Sequence, residues 1–225
     1  MRVFAINGSP KAKNSCTDKI LNPLLQGMQE AGADIERVYL ATKKIHHCTG
    51  CFACWFQTPG RCVIKDDMAS LLEQIKRADL LIYGTPLYTY SMSGLMKDFV
   101  DRSLPLENPF YEQCGLAAEQ AQGVQAKMVL VSPCGFPMLD NFDHLVGCFK
   151  RMFRDSFLDA ILRPTAELMN DPTFHERYEE YARALVTAGK EYILEGTLSA
   201  DTKKEVMKLW MSSEEYFAHC KKVVF

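Results

Sequence analysis

The sequence predicts an α/β fold: a doubly wound parallel sheet of five strands with a helical C-terminal extension. Three observations carry the prediction. Short apolar runs alternate with amphipathic helical stretches from residue 3 to residue 162, the pattern of parallel strands covered on both faces. Most of these runs end in Gly, Ser, Thr or Pro, so the strands run into polar loops at their carboxyl ends. After Pro164 the strand pattern stops and only helical spacing remains. The expected division is a sheet domain over residues 1–165 and a helical extension over 166–225 packed on it.

The elements follow in order. Residues 3–6 form an apolar strand that ends at Asn7-Gly8-Ser9-Pro10. Residues 16–31 carry Ile20, Leu24, Leu25, Met28 and Ala31 at helical spacing, with Pro23 awkward in the middle and Gly32 as the stop. Residues 35–40 form a second strand. Residues 43–67 are polar and rich in cysteine. Residues 68–77 form a helix with Met68, Leu71, Leu72 and Ile75 on one face, capped by Asp66 or Asp67. A third strand covers 80–83 and breaks at Gly84-Thr85-Pro86. Ser93 caps a helix over 95–102, and residues 104–125 look irregular. A fourth strand spans 128–132. A helix over 139–153 places Leu145, Cys148 and Met152 on one face, and 157–162 makes a fifth strand. In the tail, Tyr178, Tyr181, Leu185, Ala188 and Tyr192 form one stripe of a long helix. Shorter helices are expected near 202–210 and 213–220, and Leu209, Trp210, Tyr216 and Phe217 add apolar surface. Such a stripe must be buried, so the tail is expected to brace the core. The alternative is that it walls the pocket of a neighbouring subunit.

Composition narrows the function. The chain has 225 residues, 48% hydrophobic and 24% charged, which is ordinary for a globular protein. Lys plus Arg is 26 and Asp plus Glu is 28, for a net charge of −2. That lacks the basic footprint of a general nucleic-acid binder. No apolar run is long enough for a membrane span. The first residues turn polar too soon for a signal peptide, which predicts a cytoplasmic protein. Nine cysteines, in that compartment, are expected as thiols or metal ligands rather than disulfides.

Three strand-end loops carry the chemistry. The first strand runs into Gly8-Ser9-Pro10-Lys11-Ala12-Lys13-Asn14-Ser15-Cys16-Thr17 and then a helix. Hydroxyls, an amide and free N–H groups at a helix N-terminus make an anion site, with two lysines nearby. The loop is neither G-x-G-x-x-G nor G-x-x-x-x-G-K-[ST], so a dinucleotide fingerprint and a P-loop are both excluded. The third strand ends in Thr85-Pro86-Leu87-Tyr88-Thr89-Tyr90-Ser91-Met92-Ser93-Gly94, where two tyrosines could meet a flat ring. The fourth ends in Ser132-Pro133-Cys134-Gly135-Phe136-Pro137.

Together, Gly8-Ser9-Pro10-Lys11 with Asn14-Ser15, and Pro86-Leu87-Tyr88 through Ser93-Gly94 with Lys97, Phe99, Asp101 and Arg102, resemble the flavodoxin-like NAD(P)H-dependent FMN reductases. The resemblance covers roughly residues 1–165. It implies that Ser9, Lys11, Asn14, Ser15 and Thr17 surround the FMN phosphate. Cys16 lies among them, where many relatives carry a charged or hydroxyl residue. It implies that Pro86, Leu87, Tyr88, Thr89, Tyr90 and Ser91 line the isoalloxazine and ribityl, and that Ser132, Cys134, Gly135 and Phe136 close the ring edge.

Cys48, Cys51, Cys54 and Cys62 are spaced C-x2-C-x2-C-x7-C. The first three match the tight run that holds a [4Fe–4S] cluster. Thr58-Pro59-Gly60-Arg61 reads as a type II turn that could fold Cys62 back towards them. The motif, with Val63 to Met68, resembles the iron–sulfur flavoprotein branch of the same family. A cluster, a zinc site and free thiols beside the flavin all stand as readings, with free thiols slightly ahead. His46 and His47 are not taken as ligands, and Cys114, Cys148 and Cys220 are expected to be structural. The expected function is an FMN-dependent oxidoreductase in which NAD(P)H drives reduction of a small acceptor such as a quinone or a flavin. The alternative is an iron–sulfur flavoprotein that carries electrons with ferredoxin as partner. Exposed Trp55, Phe56 and Tyr90 would favour a homodimer or tetramer.

Overall fold

The computed structural model describes residues 1–107 and 125–224. Five strands form one parallel sheet: β1 (Arg2–Asn7), β2 (Asp34–Tyr39), β3 (Leu80–Gly84), β4 (Lys127–Pro133) and β5 (Phe157–Arg163). Their order is β2-β1-β3-β4-β5, so the winding reverses between β1 and β3, where doubly wound sheets bind ligands. Alternate residues of each strand face opposite sides. Phe4, Ile6, Leu81, Tyr83, Met128 and Leu130 join a core with α3 (Met68–Arg77), α4 (Gly94–Asp101) and α5 (Asp143–Phe153). Val3, Ala5, Leu80, Ile82, Val129 and Val131 join the other core, with α1 (Cys16–Glu30) and α6 (His175–Leu194). A short α2 (Ala53–Phe56) lies in the cysteine loop, and α7 (Ala200–Val206) and α8 (Ser213–Val224) complete the chain. No helix among the described residues is long and apolar enough to cross a membrane.

The fold matches the expected one element by element, with physical reasons for the differences. Pro23 does sit inside α1. It cannot donate to the Lys19 carbonyl one turn back, and the Tyr178 hydroxyl of α6 donates to that oxygen at 3.2 Å instead. α1 and α6 touch backbone to backbone: a Cβ on Gly27 would lie 1.9 Å from the Val186 oxygen, and one on Gly189 2.1 Å from that of Leu24. The expected helix over 139–153 opens as a 3-10 turn, Leu139–Phe142, before α5. α5 buries Leu145 and Phe149, an i, i+4 pair, which turns Cys148 out to solvent; the expected role of Cys148 as a core residue is corrected.

α7 ends at Val206, short of the expected residue 210. The buried Arg163 guanidinium, at the end of β5, donates to the Val206 and Lys208 carbonyls, each at 2.8 Å, and so caps that terminus. It also stacks on Tyr181, 3.9 Å from the ring centroid. Trp210 and Tyr216 are buried as expected of the tail, whereas Leu209 and Phe217 stay partly exposed. Residues 104–106 form a 3-10 turn, Leu104–Leu106; most of the stretch expected to be irregular, with Cys114, lies outside the described residues.

Candidate functional site

The carboxyl ends of β1, β3 and β4 open into a cleft of about 230 Å³. Its first wall is the β1–α1 loop. Buried Asn7 holds it in shape: Oδ1 accepts from the Ser9 N–H at 2.9 Å, and Nδ2 donates to Asp18, which also pairs with Arg37. Ser9 Oγ accepts from the Lys11 N–H at 3.3 Å, leaving its own proton free. Ser15 caps α1, accepting from Asp18 N–H at 3.0 Å and donating to the Ala12 carbonyl at 2.6 Å. The Thr17 hydroxyl lines the cleft and is buried with no partner. A buried hydroxyl without a partner is costly, and this one sits at a helix N-terminus, where the first-turn N–H groups favour negative charge.

The second wall is the β3–α4 loop. Tyr88 and Ser91 exchange backbone hydrogen bonds of 2.9 and 3.0 Å around Thr89 and Tyr90, both with positive φ (49° and 62°). That is a two-residue hairpin turn built without glycine, strained by about 1–3 kcal/mol per residue. The strain sits at the mouth of the cleft. Ser93 caps α4 by accepting from Met96 N–H at 3.2 Å, and its hydroxyl donates to the Gly8 carbonyl at 2.6 Å, tying the two loops together. Gly8 allows this closeness, since a Cβ there would lie 2.9 Å from Met96.

Of the residues named from sequence, Ser9, Lys11, Ser15, Cys16, Thr17, Pro86, Leu87, Tyr88, Cys134 and Gly135 line the cleft. Asn14, Thr89, Tyr90, Ser91 and Phe136 are exposed around it, and Ser132 is buried at the end of β4 with an unpartnered hydroxyl. Pro133, within the expected third loop, also lines it, as do Ala166 and Glu167, which were not anticipated. Ala166 and Glu167 belong to a 3-10 turn after β5 (Ala166–Asn170), a place the strand-end rule points to but whose residues have no motif. Burial pushes the Glu167 carboxyl above its ordinary value, and burial likewise raises the Cys134 thiol.

The cysteine loop lies beside α4. The turn at Thr58-Pro59-Gly60-Arg61 closes with Arg61 N–H donating to the Thr58 carbonyl at 2.9 Å, and Gly60 takes φ +77°, as a type II turn requires. Gly60 N–H also donates to the Cys54 carbonyl at 3.0 Å. Cys48, Cys51, Cys54 and Cys62 consequently line one small cavity of about 20 Å³, with Cys54 buried. No group of three or more His, Cys, Asp or Glu among the described residues is spaced to hold a metal ion.

The loop is pinned by a buried bidentate pair, in which Arg102 donates to both Asp66 oxygens at 2.7 and 2.9 Å. Asp66 also accepts from the N–H groups of His46 and Met68, so of the two expected caps it is Asp66, one residue before the backbone N-cap Asp67, whose side chain serves the N-terminus of α3. Burial alone would raise its carboxyl, but Arg102 and these N–H groups outweigh it and hold it well below the usual range. The histidines anchor the loop: His46 Nδ1 lies 3.2 Å from Asp66 and His47 Nδ1 2.6 Å from Asp98. Trp55, expected to be exposed, is half-buried because its indole N–H reaches the Leu104 carbonyl at 3.1 Å.

The family model for NADPH-dependent FMN reductase matches residues 1–135, which contain the first two loops and the start of the third. The chain belongs to that family. Within reach of this FMN reductase assignment, an iron–sulfur flavoprotein of Archaeoglobus fulgidus is 36% identical over 105 residues, 47% of this chain and 46% of that protein. The chain spans about half the length of this relative and of two further iron–sulfur flavoproteins that it matches (46%, 49% and 55%). Two solved structures share the fold at TM-score 0.61 and 16% identity, each over 85% of this chain. One is an NAD(P)H:quinone oxidoreductase from Methanothermobacter marburgensis, covered over 96% of its length. The other is an FMN-dependent NADH-azoreductase from Bacillus anthracis in complex with FMN, covered over 99%.

Proposed function

We propose that this chain is a cytoplasmic FMN-dependent oxidoreductase in which electrons pass from NAD(P)H, through FMN held in the cleft, to a small acceptor such as a quinone or a flavin. One observation carries the reading: the buried, unpartnered Thr17 hydroxyl at the N-terminus of α1, in a cleft made by three strand-end loops. FMN, when bound, supplies the two-electron chemistry. The protein binds and orients. Thr17 and Ser9 donate hydroxyl protons to the phosphate, and the first-turn N–H groups of Cys16 and Thr17 face it with the positive end of α1. Ser15 fixes that turn, while Lys11 and exposed Asn14 meet the phosphate from the solvent side. Pro86, Leu87 and Tyr88 form an apolar wall for a flat ring, with Tyr88 set by the Thr89-Tyr90-Ser91 hairpin. Cys134, Gly135 and Phe136 bound the ring edge over Ser132.

Residues 1–165 form the FMN-binding domain in this reading, with 166–225 as a helical extension packed on it. Tyr90 is 58% exposed and Phe136 61% at the mouth of the cleft, an apolar rim suited to a homodimer or tetramer. Titration of flavin-free protein with FMN, followed by anaerobic NAD(P)H oxidation with a quinone, tests the assignment. Saturable binding with a quenched flavin signal and acceptor-dependent turnover is expected; no FMN binding overturns it.

A second reading is favoured by four thiols on one pinned loop around one cavity. Four soft ligands fit the chemistry of a [4Fe–4S] cluster, and Cys48, Cys51, Cys54 and Cys62 would hold it. The protein would then be an electron carrier exchanging with ferredoxin. Iron and sulfide analysis of anaerobically purified protein decides: about four irons per chain supports this reading, and none removes it.

A further inference from the structure

Glu167 is a cleft-lining carboxyl to which no role has been assigned. Its Oε1 accepts from the Tyr216 hydroxyl of α8, and its Oε2 faces the loop after β4, where a Cβ on Gly135 would lie 3.6 Å away. Because residue 135 has no side chain, that oxygen is left open to the cleft, which Glu167 lines as the one carboxyl among the described residues. The titratable groups around it come from every packed element. Tyr216 belongs to α8, with Cys220 beside Tyr216. Cys134 follows β4, Lys11 and Cys16 lie on the first loop and α1, and Tyr88 lies on the hairpin. Further along its own turn, Asp171 pairs with His219 at 3.4 Å.

We propose that Glu167 is the proton donor to acceptors that take two electrons in this cleft, an inference that rests on the flavin assignment above. Reducing a quinone to a hydroquinone takes two electrons and two protons. The hydride of NAD(P)H brings both electrons and one proton. Glu167 gives the other: its O–H bond breaks as an O–H bond forms on a quinone oxygen, and NAD(P)H becomes NAD(P)+. The resulting carboxylate keeps the Tyr216 hydrogen bond until solvent returns a proton. Among the described residues lining the cleft, Glu167 suits the task because it is a carboxyl held at the cleft wall by Tyr216, and partial desolvation there raises it towards neutrality, whereas burial moves the Cys134 thiol away from it. Ferricyanide, in contrast, takes one electron and no proton, so it bypasses this step.

Glu167→Gln and Tyr216→Phe, both loaded with FMN, test the inference. In Glu167→Gln the kcat with a quinone should fall at least tenfold relative to the kcat with ferricyanide. The alkaline limb of the quinone pH profile should vanish with it. In Tyr216→Phe that limb should move to higher pH, because the lost hydrogen bond favoured the carboxylate. Infrared titration of the FMN-free protein gives a readout independent of turnover. A carboxylic-acid carbonyl band should persist above the ordinary glutamate range, be absent from Glu167→Gln, and persist to still higher pH in Tyr216→Phe. Equal losses with both acceptors, loss of FMN affinity in Glu167→Gln, or absence of the persistent band would each overturn the proposal. A wild-type protein that binds FMN yet turns over neither acceptor overturns the oxidoreductase reading, and the proposal with it.

Discussion

Thr17 makes the residue-scale logic of the cleft testable in two directions. Its hydroxyl is buried and unpartnered, so it costs stability in the empty protein and is available to a ligand. Thr17→Val keeps the shape and removes the hydroxyl. Without FMN the variant should unfold at the same temperature as wild type or slightly above it. Its FMN dissociation constant should rise at least about tenfold, since a hydrogen bond to a charged group contributes about 1.5–3 kcal/mol. Calorimetric melting and fluorescence titration read the two effects, and unchanged FMN affinity would remove Thr17 from the site.

Asp66 and Arg102 make the second residue-scale case. Their side chains are almost wholly buried, so Asp66→Asn leaves a guanidinium without its charge partner. The expected loss is about 3–5 kcal/mol at pH 7. Because folding depresses the Asp66 carboxyl, the stabilisation is complete above the ordinary carboxylate range and is lost as pH falls through the folded value. Urea unfolding should therefore separate wild type and variant widely at pH 7 and progressively less below about pH 4. A constant gap across that range would refute the ionic account. The sequence showed the loop residues because hydroxyls, glycines and lysines cluster visibly after a strand. It hid Asp66–Arg102 and Glu167, whose partners lie 36 and 49 residues away in the chain and share no local pattern.

At the scale of elements, β1, β3 and β4 were legible because each is buried on both faces and so reads as a continuous apolar run, whereas the edge strands β2 and β5 are only partly buried and carry charged residues among the apolar ones. The limits were harder wherever distant groups decide them. α7 stops where Arg163 takes its carbonyls, and α5 turns Cys148 outward after a 3-10 start. The Thr89-Tyr90 turn was illegible because left-handed turns announce themselves through Gly or Asn, and neither is present. The same reasoning yields a prediction for the α1–α6 contact, where Gly27 and Gly189 let two backbones meet. Gly189→Ala would place a methyl group 2.1 Å from the Leu24 carbonyl oxygen, inside any permitted contact. Although alanine is the better helix former, the helices must separate, at a cost of about 3 kcal/mol. Chemical denaturation should show a destabilised protein with the secondary structure retained. A variant as stable as wild type would mean that α6 does not pack on α1 in this way.

For the molecule as a whole, the tail is continuous with one of the two cores. Val206, Trp210 and Tyr216 are buried in the same cluster as Val3, Ile20 and Ile161. The tail also supplies the carbonyls that neutralise Arg163 and the hydroxyl that meets Glu167. Deleting residues 197–225 would expose the apolar surface packed against those three side chains, worth roughly 5 kcal/mol at ordinary burial energies. That is comparable with the whole stability of many domains. It would also strand the Arg163 guanidinium, which donates to the Val206 and Lys208 carbonyls of the deleted segment. The truncated chain should therefore be mostly insoluble, and its soluble fraction should bind a hydrophobic dye and melt without a cooperative transition. Adding FMN should not restore the transition, because the cleft's third edge, the turn carrying Glu167, loses its support from α8 together with the core. A soluble truncated protein that melts cooperatively within a few degrees of wild type would show that the sheet and α1–α6 stand without the tail, and that α7 and α8 are not part of the folding unit.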